Sequence, residues 1–320
     1  MKNVAIVTSG GDAPGMNAAI RAVTRIAYSK GLHVFGFERG WEGLMNGALR
    51  PLTPRSVGGI IQLGGTILHT SRSLEFRTPI GIKKAAETLL SEKIDGLIVV
   101  GGDGSFDGAL ALSRKTETLI IGVPASIDND IYGTEETIGF DTALNTAVDE
   151  IDKIRDTAIS HERVFIVEVM GRARGFLAVA VGLTVGAEII LVPEVEVDLR
   201  KIVARLEENS AKGKKSGIIV AAEGIGDTRK LGEQIEKEAG TEVRLSVLGY
   251  AQRGGSPTGR SRLLANLFAD KAIELLVEGD GNRIVGLGKG KITSIGLKES
   301  CEKEKPLSLD LLALASVLST

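Results

Sequence analysis

The sequence predicts an α/β protein built on mostly parallel sheets, with helices covering both faces. Three observations carry this. Short β-branched runs alternate with amphipathic stretches along the whole chain, which is the pattern of βαβ units. Glycine-rich turns follow several of those runs directly, and in open α/β sheets the loops beyond the strand ends are where ligands bind. The chain has 320 residues, more than one small core serves, so two lobes of about 150 residues each is the natural division.

Taken in order, the first strand is Val4–Thr8, a β-branched run that stops at paired glycines, and the amphipathic helix Ala18–Tyr28 follows. A second helix is expected over Lys83–Leu90. The strand Gly96–Val100 then runs into Gly101–Ser105 and a helix around Ala109–Leu112. Leu119–Val123 is a third strand. The polar, glycine-containing segment Ile127–Asp141 that comes next suits a crossover between lobes. Beyond it the helix Leu144–Arg155, the strands Val164–Val169 and Ile189–Val192, the helix Ile202–Leu206 and the strand Gly217–Ala222 continue the alternation. There is no short-period repeat and no low-complexity linker.

Composition narrows the function. A formal net charge of −2 leaves no electrostatic footprint for nucleic acid or an anionic membrane, so an anion site must be built from local Arg and Lys. The single cysteine, Cys301, excludes a disulfide framework and reads as a free thiol. Met1–Asn3 runs straight into a short apolar strand without a signal-peptide pattern, and no apolar run approaches the ~20 residues of a membrane helix. A cytoplasmic location is the expectation.

Four strand-end loops carry the chemistry. In Thr8–Asn17 paired glycines let backbone amides approach phosphate oxygens at a helix start; a tight structural turn would use the same pair. Gly101-Gly102-Asp103-Gly104-Ser105 places a carboxylate in a phosphate-type loop. Like charges would repel there unless a Mg²⁺ lay between them, since hard cations take carboxylate and phosphate oxygens together; an N-capping Asp is the structural alternative. Pro124–Asp130 offers two carboxylates, Asp128 and Asp130, one able to act as a general base while the other orients it or a cation; an Asx-type turn is the competing explanation. Glu168–Arg172 places an Arg after a glycine, where a guanidinium can meet a phosphoryl oxygen gaining charge. Each signal is modest alone. Together they are the parts of a phosphoryl-transfer site, and no Gly-x-x-x-x-Gly-Lys-Ser/Thr sequence is present.

With these residues in view, the chain resembles the bacterial ATP-dependent 6-phosphofructokinase family from Met1 to about Pro306. The stretches Thr8–Arg21, Gly101–Ser105, Ile127–Asp130, Ile138–Asp141, Val167–Arg172, Leu191–Glu194 and Gln252–Pro257 carry the likeness. The resemblance implies two unequal, Rossmann-like, three-layer α/β lobes with the active site between them: residues 1–138 plus 251–305 as the larger, nucleotide-binding lobe, and 139–250 plus 306–320 as the smaller, sugar-phosphate-binding lobe. It implies transfer of the γ-phosphoryl group of Mg-ATP to the 1-hydroxyl of fructose 6-phosphate, usually in a homotetramer. Gly11, Arg72, Ser73, Gly102, Asp103, Gly104, Ser105 and Gly108 fall on the nucleotide and Mg²⁺ side, with Asp103 as the metal ligand. Ser126, Asp128, Asp130, Met170, Gly171, Arg172, Glu223, Tyr250 and Arg253 fall on the sugar-phosphate side. Asp128 matches the catalytic base, and Asp103, Ser126 and Arg172 complete the catalytic set. Arg163 and Arg244 match residues that reach the sugar phosphate from a neighbouring subunit. Arg21, Arg25, Arg155, Glu188, Lys212 and Lys214 match a site for ADP or phosphoenolpyruvate, with Arg55 standing in where Pro54 occupies an arginine position; holding an interface together is the plainer role for these residues.

Departures from the pattern are few. Tyr250 stands where the family usually has His. Ser73 replaces an aromatic residue near the adenine, where Trp41 keeps a ring nearby, and Ile82 replaces an Arg that Lys83 follows. Pyrophosphate-using relatives generally carry Asp at the position of Gly104 and Lys at that of Ala125; a carboxylate at 104 would crowd the α-phosphate of ATP, so both positions read ATP. The alternatives are a pyrophosphate-dependent phosphofructokinase, a catalytically inactive regulatory homologue, a kinase of the NAD or diacylglycerol type, and a two-lobed sugar-binding protein. The last two lack a use for the Asp128 loop.

Overall fold

A computed structural model describes residues 1–319. The chain divides into two compact units, Met1–Thr142 with Arg253–Lys305, and Ala143–Gln252 with the segment from Pro306 on.

The first unit opens with β1 (Asn3–Ser9), α1 (Met16–Ser29), β2 (His33–Phe37), α2 (Gly40–Met45) and β3 (Leu49–Leu52). It continues through α3 (Pro79–Ser91), β4 (Gly96–Gly101), α4 (Asp103–Ser113), β5 (Leu119–Ser126) and the two-residue β6 (Ile138–Gly139). Helix α5 (Phe140–His161) carries the chain into the second unit, which holds β7 (Val164–Val169), α6 (Phe176–Thr184), β8 (Ile189–Leu191), α7 (Leu199–Ala211), β9 (Gly217–Ala222), α8 (Thr228–Ala239) and β10 (Val243–Val247). The chain then returns to the first unit with α9 (Gly259–Glu278), β11 (Arg283–Gly288), β12 (Lys291–Gly296) and α10 (Leu297–Glu302), before the last helix, α11 (Asp310–Leu318), in the second.

The large sheet runs β12-β11-β5-β4-β1-β2-β3, with β6 paired to β5. Its interior pairings are parallel, and the two outer strands, β3 and β12, run antiparallel. Burial follows from this placement: every residue of β4, Gly-Leu-Ile-Val-Val-Gly, is buried, as a parallel strand covered on both faces requires. Ala5, Val7, Leu97 and Val99 point into one core under α2, α3, α4 and α10, while α1 and α9 pack against each other and α9 lies on β5. The small sheet, β10-β7-β9-β8, is parallel throughout. Ile166, Ile219 and Ala221 face α7 and α8. Ile190, of opposite parity along β8, meets Gly182 of α6, where an added β-carbon would stand 2.5 Å away.

Helix ends follow local chemistry. Thr78, Asp198, Asp227 and Thr258 each cap a helix start by accepting a backbone N–H. Gly240 and Gly279 close α8 and α9 in the left-handed conformation. Two boundaries matter for the site. Asp103 is the first helical residue of α4 and not part of an extended glycine loop, because Gly102 alone makes the turn and serves as its cap position. Strand β5 extends beyond Val123 to Ser126, and β6 anchors the polar segment 127–141 to it through Ala125↔Ile138 and Ser126↔Gly139.

Candidate active site

In the first unit the chain leaves β1 toward β2 and β3 on one side, then crosses back to add β4 and β5 on the other. The reversal of order lies between β1 and β4, the switch point where open α/β sheets bind ligands. The loops after β1, β4 and β5 meet there.

Gly10, with φ of 85°, and Gly101 both lie against Ser105: a β-carbon would come to 3.0 Å and 2.6 Å of its Oγ. Any larger residue would part the β1 loop from the start of α4. Ser105 Oγ is buried and lacks a hydrogen-bond partner. The α4 N-terminus has no side-chain cap, so its first amides are open to an anion, and the helix dipole favours one. Asp103 and Gly104 are exposed on this first turn, and nothing lies within 4 Å of where a Gly104 β-carbon would stand. Over the neighbouring loop lies Arg253, whose guanidinium nitrogen would be 1.9 Å from a Gly11 β-carbon. Glycine is what lets the cation settle on that backbone.

The β5 loop adjoins. A β-carbon on Gly102 would sit 3.6 Å from that of Ser126, so the α4 start and the end of β5 are in van der Waals reach. Ser126 Oγ accepts the Asp128 N–H at 3.1 Å, and its carbonyl accepts Thr137 Oγ at 2.5 Å. Asp128 is only 4% exposed, and Asp130 is half-buried. Between them Asn129 holds φ of 54°; its side chain accepts the Thr137 N–H and donates to the Glu135 carbonyl. The turn is fixed by more than its own propensity.

Arg72 is exposed. Ser73 serves a local end, its hydroxyl accepting the Phe76 N–H at 3.1 Å. Trp41 is buried and stacks on Phe76 with centroids 4.3 Å apart, and Gly108 is the residue that admits this stack, since its β-carbon would meet Phe76 at 2.8 Å. Trp41 is therefore a core residue and not an open platform for a base. Asp107, one turn beyond Asp103, has its carboxyl pushed up by burial and by Asp103. Cys301 shares a hydrogen bond with it, and burial together with Asp107 and Asp103 pushes the thiol to about 12. That leaves no reactive thiolate near neutrality. Among the described residues no three His, Cys, Asp or Glu side chains form a metal cluster. Asp103 could supply one oxygen to a cation arriving on a phosphate.

In the second unit, Glu223 at the end of β9 accepts the Gly171 and Arg172 N–H groups at 3.2 Å and 2.7 Å. This fixes a loop in which Gly171 has φ of 139° and Arg172 φ of 53°. A β-carbon at Gly171 would stand 2.7 Å from the Arg174 carbonyl oxygen, so the turn needs glycine. Gln252, fully buried, accepts the Met170 N–H at 2.9 Å. Arg163 and Arg244 are gathered by one carboxylate: Glu242 pairs with Arg163 at 2.5 Å and also with Arg244. These pairs, Arg163 foremost, hold the Glu242 carboxyl below its usual range. Tyr250 is 81% exposed.

Of the residues matched to an effector site, Arg21, Arg25 and Arg55 belong to the first unit; Arg25 donates to the Pro54 carbonyl at 3.4 Å. In the second, Arg155 donates to the Val185 carbonyl. Glu188, with a side chain 1% exposed, binds Lys214 at 2.6 Å and the Ile218 N–H at 2.5 Å, and Lys212 pairs with Glu208 at 2.7 Å.

Sequence reasoning did not single out Glu242, Gln252 as a loop holder, or Lys305, which donates to the Asn129 carbonyl. For Glu242 a signal existed: Glu242 and Arg244 flank Val243 at the two-residue spacing that puts side chains on one face of a strand.

Comparison with known proteins bears on the same residues. Residues 3–276 match the family described as Phosphofructokinase. The chain is 51% identical over 319 residues to the ATP-dependent 6-phosphofructokinase of Lysinibacillus sphaericus, and 50% identical over 319 residues to that of Brevibacillus brevis, in each case covering 100% of both chains. A solved phosphofructokinase from Saccharomyces cerevisiae superposes with a TM-score of 0.88 at 34% identity, over 94% of this chain and 45% of that one. The chain thus spans less than half the length of the yeast protein. Full-length identity near one half, a family match across most of the chain and a shared overall fold agree: this chain belongs to the phosphofructokinase family.

Proposed function

We propose that the chain is an ATP-dependent 6-phosphofructokinase, which transfers the γ-phosphoryl group of Mg-ATP to the 1-hydroxyl of fructose 6-phosphate and yields fructose 1,6-bisphosphate and ADP. The observation that carries this is the junction at the ends of β1, β4 and β5, where an uncapped helix start, a carboxylate at its first residue and a buried carboxylate on the next loop adjoin. Relatives at half identity along the whole chain are named ATP-dependent 6-phosphofructokinases, which favours ATP over pyrophosphate.

The roles follow from the chemistry of each group. The amides opening α4 and the backbone at Gly11 receive phosphate oxygens; Arg253, which the resemblance assigns to the sugar phosphate, lies over Gly11 and adds charge beside them. Kinases of this family use a divalent metal; Asp103 would help to hold a Mg²⁺ arriving with the nucleotide, and such an ion would supply charge neutralisation to the transferred group. Asp128 accepts the proton of the attacking hydroxyl, its backbone held by Ser126. From the second unit, Arg172 is assigned the charge that grows on the moving phosphoryl group. Met170, Gly171, Glu223, Tyr250 and Asp130 are assigned to the sugar, and Arg163 and Arg244 to its 6-phosphate. A homotetramer with sites shared between subunits, response to ADP or phosphoenolpyruvate at Arg21, Arg25, Arg55, Arg155, Glu188, Lys212 and Lys214, and a cytoplasmic location belong to the same proposal. No helix among the described residues is long and apolar enough to cross a membrane.

A coupled assay with fructose 6-phosphate tests the donor. ATP should support turnover and pyrophosphate should not, and added ADP or phosphoenolpyruvate should shift the apparent affinity for the sugar phosphate. Gly104→Asp sharpens the test. Gly104 is exposed and an added β-carbon there meets no protein atom within 4 Å, so the variant should fold normally yet lose ATP use through repulsion of the α-phosphate. Equal rates with pyrophosphate in the parent protein would overturn the ATP reading.

A further inference from the structure

We propose that Lys305 is a positioning residue for the reaction, its amine fixing the backbone of Asn129 so that the adjacent Asp128 carboxylate is held where a hydroxyl proton can reach it. The proposal rests on the phosphotransferase reading above.

Lys305 ends the return segment of the first unit. Its Nζ donates to the Asn129 carbonyl at 2.8 Å and to the Glu135 carbonyl at 3.1 Å. Those carbonyls flank the turn that follows Asp128. Asn129 sits in the left-handed region, a conformation that Asn tolerates better than most non-glycine residues and that its surroundings hold in place. Several contacts hold it there. Asn129 Oδ1 accepts the Thr137 N–H at 3.1 Å and its Nδ2 donates to the Glu135 carbonyl at 3.2 Å. Ser300, from the same return segment as Lys305, donates to the Tyr132 carbonyl at 2.6 Å. Lys305 adds a hold on the main chain of Asn129, the residue next to Asp128.

An apolar side chain could fill the space; the use of a charged one needs a reason. Burial pushes the Lys305 amine down to about 8, against Asp130, Glu135 and Glu136, which pull it up. Glu136 is shared with Arg260 of α9 at 2.6 Å, Glu135 accepts the Lys289 N–H at 2.7 Å, and Lys303 lies over the Tyr132 ring. Below pH 8 or so the amine is an ammonium, making short, charge-assisted bonds to both carbonyls. Above it the neutral amine donates more weakly. The hold on the loop therefore loosens as pH rises through about 8, a pH dependence that simple packing would lack.

The experiment compares the parent, Lys305→Met and Lys305→Arg in kcat and KM from about pH 7 to about pH 9.5, with backbone hydrogen exchange over residues 128–137 measured without substrate. Lys305→Met should lose roughly tenfold or more in kcat at neutral pH, the scale of a charged hydrogen bond, with both KM values little changed and faster exchange in that segment. Lys305→Arg should keep its activity past the pH where that of the parent falls. Unchanged exchange in Lys305→Met, or an alkaline limb in Lys305→Arg that superimposes on the parent's, would overturn the proposal. A parent with no ATP-dependent turnover would sink the phosphotransferase reading instead, and the exchange data would still decide whether Lys305 holds the loop.

Discussion

Asp128 shows how much of one residue's behaviour is set by neighbours rather than by its own chemistry. Its exposure is 4%, its N–H is engaged by Ser126 and the next residue is locked in the left-handed region. A carboxylate held this way loses little entropy on reaching the transition state, which is how positioning lowers a barrier. Asp128→Asn keeps the shape and removes the base. General-base removal typically costs ~10²–10⁴-fold, and the loss should fall on kcat with little change in substrate affinity, as for an interaction made mainly in the transition state. Steady-state kinetics with an ATP-binding control decide it. A variant that keeps more than about a tenth of parental kcat, well above that range, would move the role to Asp130.

At the scale of elements, most strands legible in sequence were interior ones. β1, β4, β5, β7 and β9 are apolar, β-branched runs because a parallel interior strand has no wet side, while β8, a three-residue edge strand, was legible from its Ile-Ile-Leu run alone. Most strands that escaped notice are short or lie at edges; β2 and β11 are interior, but His33 and Gly36 in one and Arg283 and Gly286 in the other interrupt their apolar runs. β3 contains Arg50 and Pro51 and is antiparallel at one margin; β10 and β12 lie at margins too, and β6 has two residues. Edge strands carry polar side chains and proline as a matter of negative selection against pairing, which erases the pattern a reader would look for. The site divides likewise. Loops after buried strands were visible as motifs, whereas two residues that brace them, Gln252 and Lys305, act across long sequence separations that spacing cannot reveal. Glu242 gives a measurable case. It gathers Arg163 and Arg244, the cations assigned to the sugar 6-phosphate, and its negative charge competes with that dianion. Exposed ion pairs are worth up to about 1 kcal/mol, so Glu242→Gln should lower KM for fructose 6-phosphate by roughly two- to fivefold and leave kcat alone. A rise in KM would mean that the carboxylate's value in aiming the two guanidiniums outweighs its repulsion.

For the whole molecule, the net charge of −2 means that a sugar phosphate would be captured by local cations and not by a global field. Arg244 lies on β10, an edge strand of the small sheet, near the exposed Val247 and Tyr250. An unpaired edge with exposed apolar side chains is a surface that proteins ordinarily cover, and a second copy of this chain fits the family resemblance, in which the counterparts of Arg163 and Arg244 serve a neighbour's site. If sites are shared in this way, defects on the two sides of a site should complement. Asp128→Asn and Arg244→Ala chains, each inactive or nearly so alone, would be co-expressed with different tags and the mixed oligomer purified through both. A site made from the Asp128 of one chain and the Arg244 of the other is intact, so random pairing should restore about one site in four. Activity no greater than the sum of the two parents, in mixed oligomers verified by mass, would place Arg244 in service of its own chain and leave each active site within a single subunit.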